Sequence, residues 1–215
     1  MTDTQELYNI ADELRAIANT GIHFTDSHYD RTRYEQILQL SARLTATIEA
    51  RPTEEIMEIF TDNMFHISPI NGAGAAVFRD GKILLIQRDD NQLWAIPGGL
   101  VEVGDTLSSA ACRELEEEAG LRGVAVRLLG IFDSRIWKSG LKHQLFHSIF
   151  EVEVPADQQP QVCPETLANG FFAEDELPPL SPGHDLRLPL LFKIERGEVP
   201  APYFDASPQI DLTNH

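Results

Sequence analysis

The sequence predicts an α/β protein in which a small helical element precedes a larger domain of short strands and helices. Three observations carry this. Residues 4–60 place apolar side chains at helical spacing; after Pro69 the texture turns to short apolar runs broken by turn residues; and residues 107–118 form a breaker-free helical stretch between strand-like segments.

The first helix is expected over residues 4–19. Leu7, Ile10, Ala11, Leu14, Ile17 and Ala18 make one stripe, and Gly21 reads as its stop. A polar loop through Thr25, Asp26, Ser27 and Asp30 leads to a second helix, starting at Asp30 or Thr32 and ending near Ala50. Its apolar side carries Tyr34, Ile37, Leu38, Ala42, Leu44 and Ile48. Pro52 and Thr53 open a short third helix with Ile56, Ile59 and Phe60 inward. Three short helices bury little alone. Residues 1–66 are therefore read as a helical dimerisation region, with a plain cover over the main domain as the alternative. The main domain is set at 67–205 and a tail at 206–215.

Within the main domain, residues 74–78 are small and apolar, Asp80-Gly81 is a hairpin turn signal, and Ile83, Leu84, Leu85 and Ile86 read as a buried strand. Residues 72–88 thus read as a β-hairpin. Further strands are expected at 124–133 and 144–154, and a last helix around 184–195.

The 215-residue length suits one catalytic domain with a small extra element. With 17 basic against 34 acidic residues and a formal charge of -17, the chain is a poor match for duplex nucleic acid or an anionic membrane. It can still bind a nucleotide if a divalent cation supplies local positive charge. Cys112 and Cys163 give no disulfide framework, and Cys112 reads as a small core residue. The start of the chain lacks a basic segment followed by an apolar one, so a cytoplasmic setting is expected.

The chemistry points to residues 94–121, W-A-I-P-G-G-L-V-E-V-G-D-T-L-S-S-A-A-C-R-E-L-E-E-E-A-G-L. Thr106 can cap the helix and Gly120 can stop it. At about 100° per residue, Glu114, Glu117 and Glu118 share one arc of the helix, while Ala111, Leu115, Ala119 and Cys112 lie roughly opposite. Glu116 falls outside the cluster, toward solvent. Like charges at these spacings repel, so a buried cluster needs protonation or a cation, and Mg²⁺ beside substrate phosphates suits oxygen ligands. A solvated acidic face is the other reading of the spacing. Arg113 can reach Glu117 at i,i+4. Pro97-Gly98-Gly99 turns the chain and lets backbone approach a ligand, and Asp105 adds a carboxylate before the helix.

This stretch resembles the Nudix box, G-x5-E-x7-R-E-U-x-E-E-x-G-U with U aliphatic. Gly99, Arg113, Glu114, Leu115, Glu117, Glu118, Gly120 and Leu121 match, and Asp105 stands where the family has Glu. The resemblance implies an α/β/α sandwich with a mixed sheet over roughly residues 68–200. It implies Glu114, Glu117, Glu118 and the Gly98 carbonyl as metal ligands, and Arg113 as the residue orienting one of those acids. The catalytic base varies in the family between a box glutamate and a later acid, and Glu165 stands where some relatives place the latter. Arg88, Trp94 and Trp137 are the expected substrate contacts, the two indoles as surfaces for a base, with Trp94 also readable as a core residue. His143 and His147 are the weaker candidates, each also readable as a strand-edge or packed histidine.

The segments L-Y-N-I-A-D-E-L-R-A-I-A-N-T-G and Y-D-R-T-R-Y-E-Q-I resemble the helical extension of Nudix hydrolases acting on X-linked nucleoside diphosphates, a group that tends to dimerise. The implied reaction is Mg²⁺-dependent hydrolysis of NDP-X to NMP and phospho-X, with Mn²⁺ able to substitute. CDP-choline and ADP-ribose rank nearly equal. The proline that marks ADP-ribose enzymes about fifteen residues past the box is replaced here by Ile136. A triphosphate-sanitising Nudix pyrophosphatase is the alternative, and a non-catalytic nucleotide-binding Nudix domain a more distant one.

Overall fold

The helical spacing at the start of the chain becomes three helices in the computed structural model, which describes residues 4–64, 68–141 and 143–206. These are α1 (Thr4–Phe24), α2 (His28–Glu49) and α3 (Thr53–Asp62). Gly21 does not stop α1. The ring of Tyr34 lies where a Cβ at Gly21 would be, so the glycine admits close packing of α2 instead of ending the helix. α2 starts earlier than expected because the Ser27 hydroxyl accepts the Asp30 N–H at 3.2 Å and caps it. Ala18, Ile22, Leu38, Ala42, Ala46, Ile56 and Phe60 form the core of this unit. Ile59, expected inward, is 47% exposed, since one helical step of three turns it away from the Ile56–Phe60 side.

The chain divides into two compact units, the helical one reaching Ile70 and including Leu141–Gln144, the other beginning at Asn71. The boundary set at 66/67 falls at residues outside the described ones, as does the expected tail beyond residue 206. No helix among the described residues is long and apolar enough to cross a membrane.

The second unit holds β1 (Ile70–Ala76), β2 (Phe78–Arg79), β3 (Lys82–Arg88), β4 (Trp94–Ala95), β5 (Gly98–Leu100), α4 (Leu107–Ala119), β6 (Val124–Asp133), β7 (Leu145–Glu153), β8 (Thr166–Phe172), α5 (His184–Glu195) and β9 (Tyr203–Phe204). Asp80 and Gly81 both have positive φ, 51° and 72°, as a two-residue hairpin turn demands. The hairpin is shorter than expected, however. Only β2 pairs with β3, whereas β1 pairs with β5 in the other sheet. Val77 sits at the passage between sheets: Ala76 packs into one core cluster, Ala75 and Val77 into the other.

One sheet has the order β5-β1-β7-β6-β9, and it is mixed because β6 runs antiparallel to β7 and parallel to β9. The second sheet has the order β2-β3-β4, with β8 also pairing β3. α4 buries Leu115 and Ala119 against Leu84, Ile86 and Val152. α5 buries Leu188, Leu191 and Phe192 against Ile83, Leu85, Leu129 and Phe132. Alternate residues of β3 thus feed two cores, as a strand covered on both faces must. The result is the α/β fold with a mixed sheet that the sequence predicts.

Candidate active site

α4 is positioned by strictly local chemistry. The Thr106 hydroxyl accepts the Ser109 N–H at 3.1 Å and the Ser109 hydroxyl accepts the Thr106 N–H at 2.8 Å, a reciprocal cap. Gly120 ends the helix at φ 66°. Ala110, Ala111, Leu115 and Ala119 are buried, and Glu114 and Glu118 are buried with them at 9% and 8% exposure. Glu117 is half-exposed, and Glu116 pairs with Arg122 at 2.7 Å, outside the cluster.

β5 is the edge of its sheet, and it meets α4 through backbone that alternates sides. Pro97 C=O accepts the Ala75 N–H and Val101 N–H donates to Asn71 C=O, so the odd residues of this segment face β1. The even ones face α4: Gly98 N–H donates to Glu118 Oε2 at 2.8 Å, and Leu100 C=O accepts from Arg113 Nη2 at 3.0 Å. In an extended strand the N–H and C=O of one residue point the same way, so the Gly98 carbonyl is also on the Glu118 side. Gly98 and Gly99 are strand residues without positive φ, not the sharp turn expected of them, and both are closely approached. A Cβ at Gly98 would meet the Ala73 carbonyl oxygen at 2.7 Å, and one at Gly99 would meet the Glu114 carboxylate at 2.5 Å.

Arg113 ties the acids together. Its Nη1 donates to Glu114 Oε1 and Glu117 Oε2, both at 2.8 Å, and its Nε donates to Asp105 Oδ2 at 3.2 Å. Desolvation works against the guanidinium charge, but the bonds to Asp105, Glu114 and Glu117 outweigh it and raise the pKa further above neutrality. Asp105 has therefore kept a place in the cluster despite its shorter reach than Glu. Burial pushes the Glu118 carboxyl up to about 7. The Gly98 N–H and the charge of Arg88 oppose this; the charges of Glu114 and Glu165 add to it. Burial raises Glu114 too, against the pull of Arg113.

Among the described residues, no three His, Cys, Asp or Glu side chains stand closed around one point. Glu114 and Glu117 close instead on Arg113, and Glu118 closes on the Gly98 N–H. The chemistry of the donor set still fits a hard divalent cation: two buried carboxylates whose protonation is favoured by desolvation, a third beside them, and a backbone carbonyl on the same side.

The other expected residues divide. Arg88 chelates Asp90 through Nε at 2.9 Å and Nη2 at 2.7 Å, and its charge reaches Glu118. Glu165, exposed before β8, contributes its charge to both Glu114 and Glu118, so it belongs to the same electrostatic group. Trp94 packs edge-on against Phe172, ring centroids 4.9 Å apart. The Trp137 indole N–H donates to Asp205 at 2.7 Å, and its ring lies edge-on to Phe132 and Tyr203. Both indoles thus have packing partners, and no hydrogen bond or ring contact joins either to the carboxylates among the described residues. His143 lies 2.7 Å from Asp12 within the helical unit. His147 is inside the catalytic unit, where burial and the charge of Arg187 lower its pKa to about 3. Sequence reading passed over Arg187 and His184 on α5. Their i,i+3 spacing was the available signal, hidden in an apolar run without helical periodicity.

Comparison with known proteins agrees with this geometry. Residues 69–191 match the family described as "NUDIX domain", and residues 5–60 match "UDP-X-like, N-terminal oligomerisation domain". The Bacillus subtilis (strain 168) protein YjhB, provisionally named an ADP-ribose pyrophosphatase, is 34% identical over 188 residues, covering 86% of this chain and 90% of its own. The crystal structure of a UDP-X diphosphatase superposes with a TM-score of 0.61 at 29% identity, covering 95% of this chain and 100% of that one. An ADP-ribose pyrophosphatase from Streptococcus suis 89-1591 superposes with a TM-score of 0.57 at 32% identity, covering 64% of this chain and 100% of that one.

Proposed function

This chain belongs to the NUDIX family and is a pyrophosphatase, and on that premise we propose that it hydrolyses a nucleoside diphosphate linked to X, giving NMP and phospho-X. ADP-ribose and UDP-linked compounds lead as substrates, because the relatives that cover most of the chain are named for them. CDP-choline stays behind them. The observation that carries the reading is the arrangement of Glu114, Glu117 and Glu118 beside the Gly98-Gly99 strand with Arg113 fixed among them.

Glu114, Glu117, Glu118 and the Gly98 carbonyl would hold the divalent cation, Mg²⁺ with Mn²⁺ able to substitute. Bound there, it supplies polarisation of the diphosphate and acidification of the attacking water. The chain's own part is positional. Arg113 holds Glu114 and Glu117 in one orientation, as partners behind metal ligands do. Gly99 leaves room for the Glu114 carboxylate. Glu165, exposed and within electrostatic reach of Glu114 and Glu118, takes the proton of the attacking water on a carboxylate oxygen. Arg88 offsets negative charge near Glu118. The helical unit pairs two copies: Ile10, Ile17, Phe24, Tyr29 and Leu40 leave apolar surface exposed on it.

The test is a Mg²⁺ assay over ADP-ribose, UDP-sugars, CDP-choline and nucleoside triphosphates, with products resolved by chromatography. NMP and phospho-X from a diphosphate-linked substrate is the expected result. Pyrophosphate release from triphosphates as the main activity would overturn it. Light scattering of the intact chain should give twice the monomer mass.

A further inference from the structure

α5 carries a charge that the proposed chemistry leaves unused. Arg187 is 2% exposed. Its Nε donates to the Gly183 carbonyl at 3.2 Å and its Nη2 lies 3.3 Å from His184 Nδ1. Among the described residues no carboxylate pairs with it, although Asp185 on the same helix acts on it at longer range. Its remaining amino group, Nη1, has no hydrogen-bond partner among those residues. Burying a guanidinium without a counterion costs several kcal/mol, and such a group persists where a ligand completes it.

A guanidinium only donates, so His184 Nδ1 accepts and its Nε2 carries the proton. Burial and the adjacent Arg187 charge keep His184 and His147 neutral at working pH. His147 Nε2 and Ser181 Oγ are buried with no hydrogen-bond partner, and Ser181 is only 6% exposed. Buried polar atoms are normally satisfied. Here a hydroxyl and an imidazole nitrogen stand without partners, the Arg187 charge acts on both histidines, and the His184 N–H ties Ser181 to the start of α5 at 3.0 Å. The charge of Arg88 reaches both His184 and Glu118, so this group and the carboxylates share one neighbouring charge.

We propose that Arg187, with His184, His147 and Ser181 around it, forms an anion subsite that takes a phosphoryl oxygen of the substrate's diphosphate. The proposal rests on the NDP-X reading above. It gives the site two poles: acids on α4 for the cation, and a guanidinium on α5 that meets the anion directly. Arg187 binds substrate here, and no proton transfer is asked of it.

The experiment uses the intact chain labelled with ¹⁵N-histidine and ¹⁵N-glycine, in Mg²⁺, titrated with inorganic pyrophosphate. Saturable shifts of the His147 and His184 ring signals are expected. Unmoved histidine signals, while the Gly98 and Gly99 amides respond, would overturn the subsite; this arm needs no variant. In Arg187→Met, checked for wild-type circular dichroism, the midpoint should rise by about tenfold or more; an unchanged midpoint would equally sink it. Pyrophosphate carries no nucleoside, so the titration can succeed where the substrate assay fails, and the reverse, which keeps the two readings separable.

Discussion

Arg113 and Arg187 sit in the same unit and are treated in opposite ways. Arg113 is a quarter exposed and bound by Asp105, Glu114 and Glu117. Arg187 is almost fully buried and, among the described residues, meets a carbonyl and an imidazole and no carboxylate. The first charge is consumed inside the protein, so its work is to hold other side chains. The second is left with capacity, so its work lies outside the chain. Degree of pairing, more than burial, separates a charge that builds a site from one that reads a ligand.

The largest effect should come from the buried carboxylates of α4. Glu118→Gln should lower turnover by a factor on the order of a thousand or more, as loss of a metal ligand does, while thermal unfolding shows the fold intact. Wild-type turnover in this variant would remove Glu118 from the proposed ligand set. Next, Arg113→Ala and Arg187→Met should diverge. Removing Arg113 leaves Glu114 and Glu117 unpaired and should lower both kcat/KM, by about 10–100-fold, and Tm. Removing Arg187 deletes an uncompensated buried charge and should leave Tm unchanged or higher, with kcat/KM down about tenfold. If the two variants lose stability alike, the contrast between them is false.

A smaller effect is the pH dependence of the metal-free chain. Glu118 titrates at about 7 in the folded protein against an ordinary 4.5. Between those values the folded state holds a proton that the unfolded state has released, so stability falls as pH rises across that window and levels off above it. The full shift corresponds to roughly 3 kcal/mol. Tm in EDTA should therefore be lower at pH 8 than at pH 5.5, Glu118→Gln should flatten that difference, and Mg²⁺ at pH 8 should restore stability. A pH-independent Tm would contradict the desolvation of Glu118. The smallest change is Asp105→Asn, which weakens one bond to Arg113 and should cost about 1 kcal/mol by denaturant unfolding, with Glu114 and Glu117 still in place.

What the sequence made legible follows the range of the forces involved. The cap, the buried stripe, the acidic arc and the stop of α4 depend on neighbours within four residues, and the structure has them as expected. Gly21 misled because its reason is Tyr34, a residue on another helix. The partner of residues 72–76 misled because β5 lies beyond the turn that advertises a hairpin. β8 is absent from the expected strands, since Ala168-Asn169-Gly170 has poor strand propensity and is held by pairing with β3. The Arg113 network was half visible: i,i+4 spacing gives Glu117, but the bonds to Asp105 and Leu100 cross a loop. Arg187 offered only its i,i+3 spacing from His184, because nothing in its neighbours reveals that a charge there is buried away from any carboxylate.

The outer rim of β5 has a consequence for how inactive variants should be judged. A bare strand border is an invitation for another chain to add itself. Here that border is sealed by Glu118 on the Gly98 amide and Arg113 on the Leu100 carbonyl. The same two side chains would then serve as gatekeepers against clumping, so substitutions that strip them can lose soluble protein together with rate.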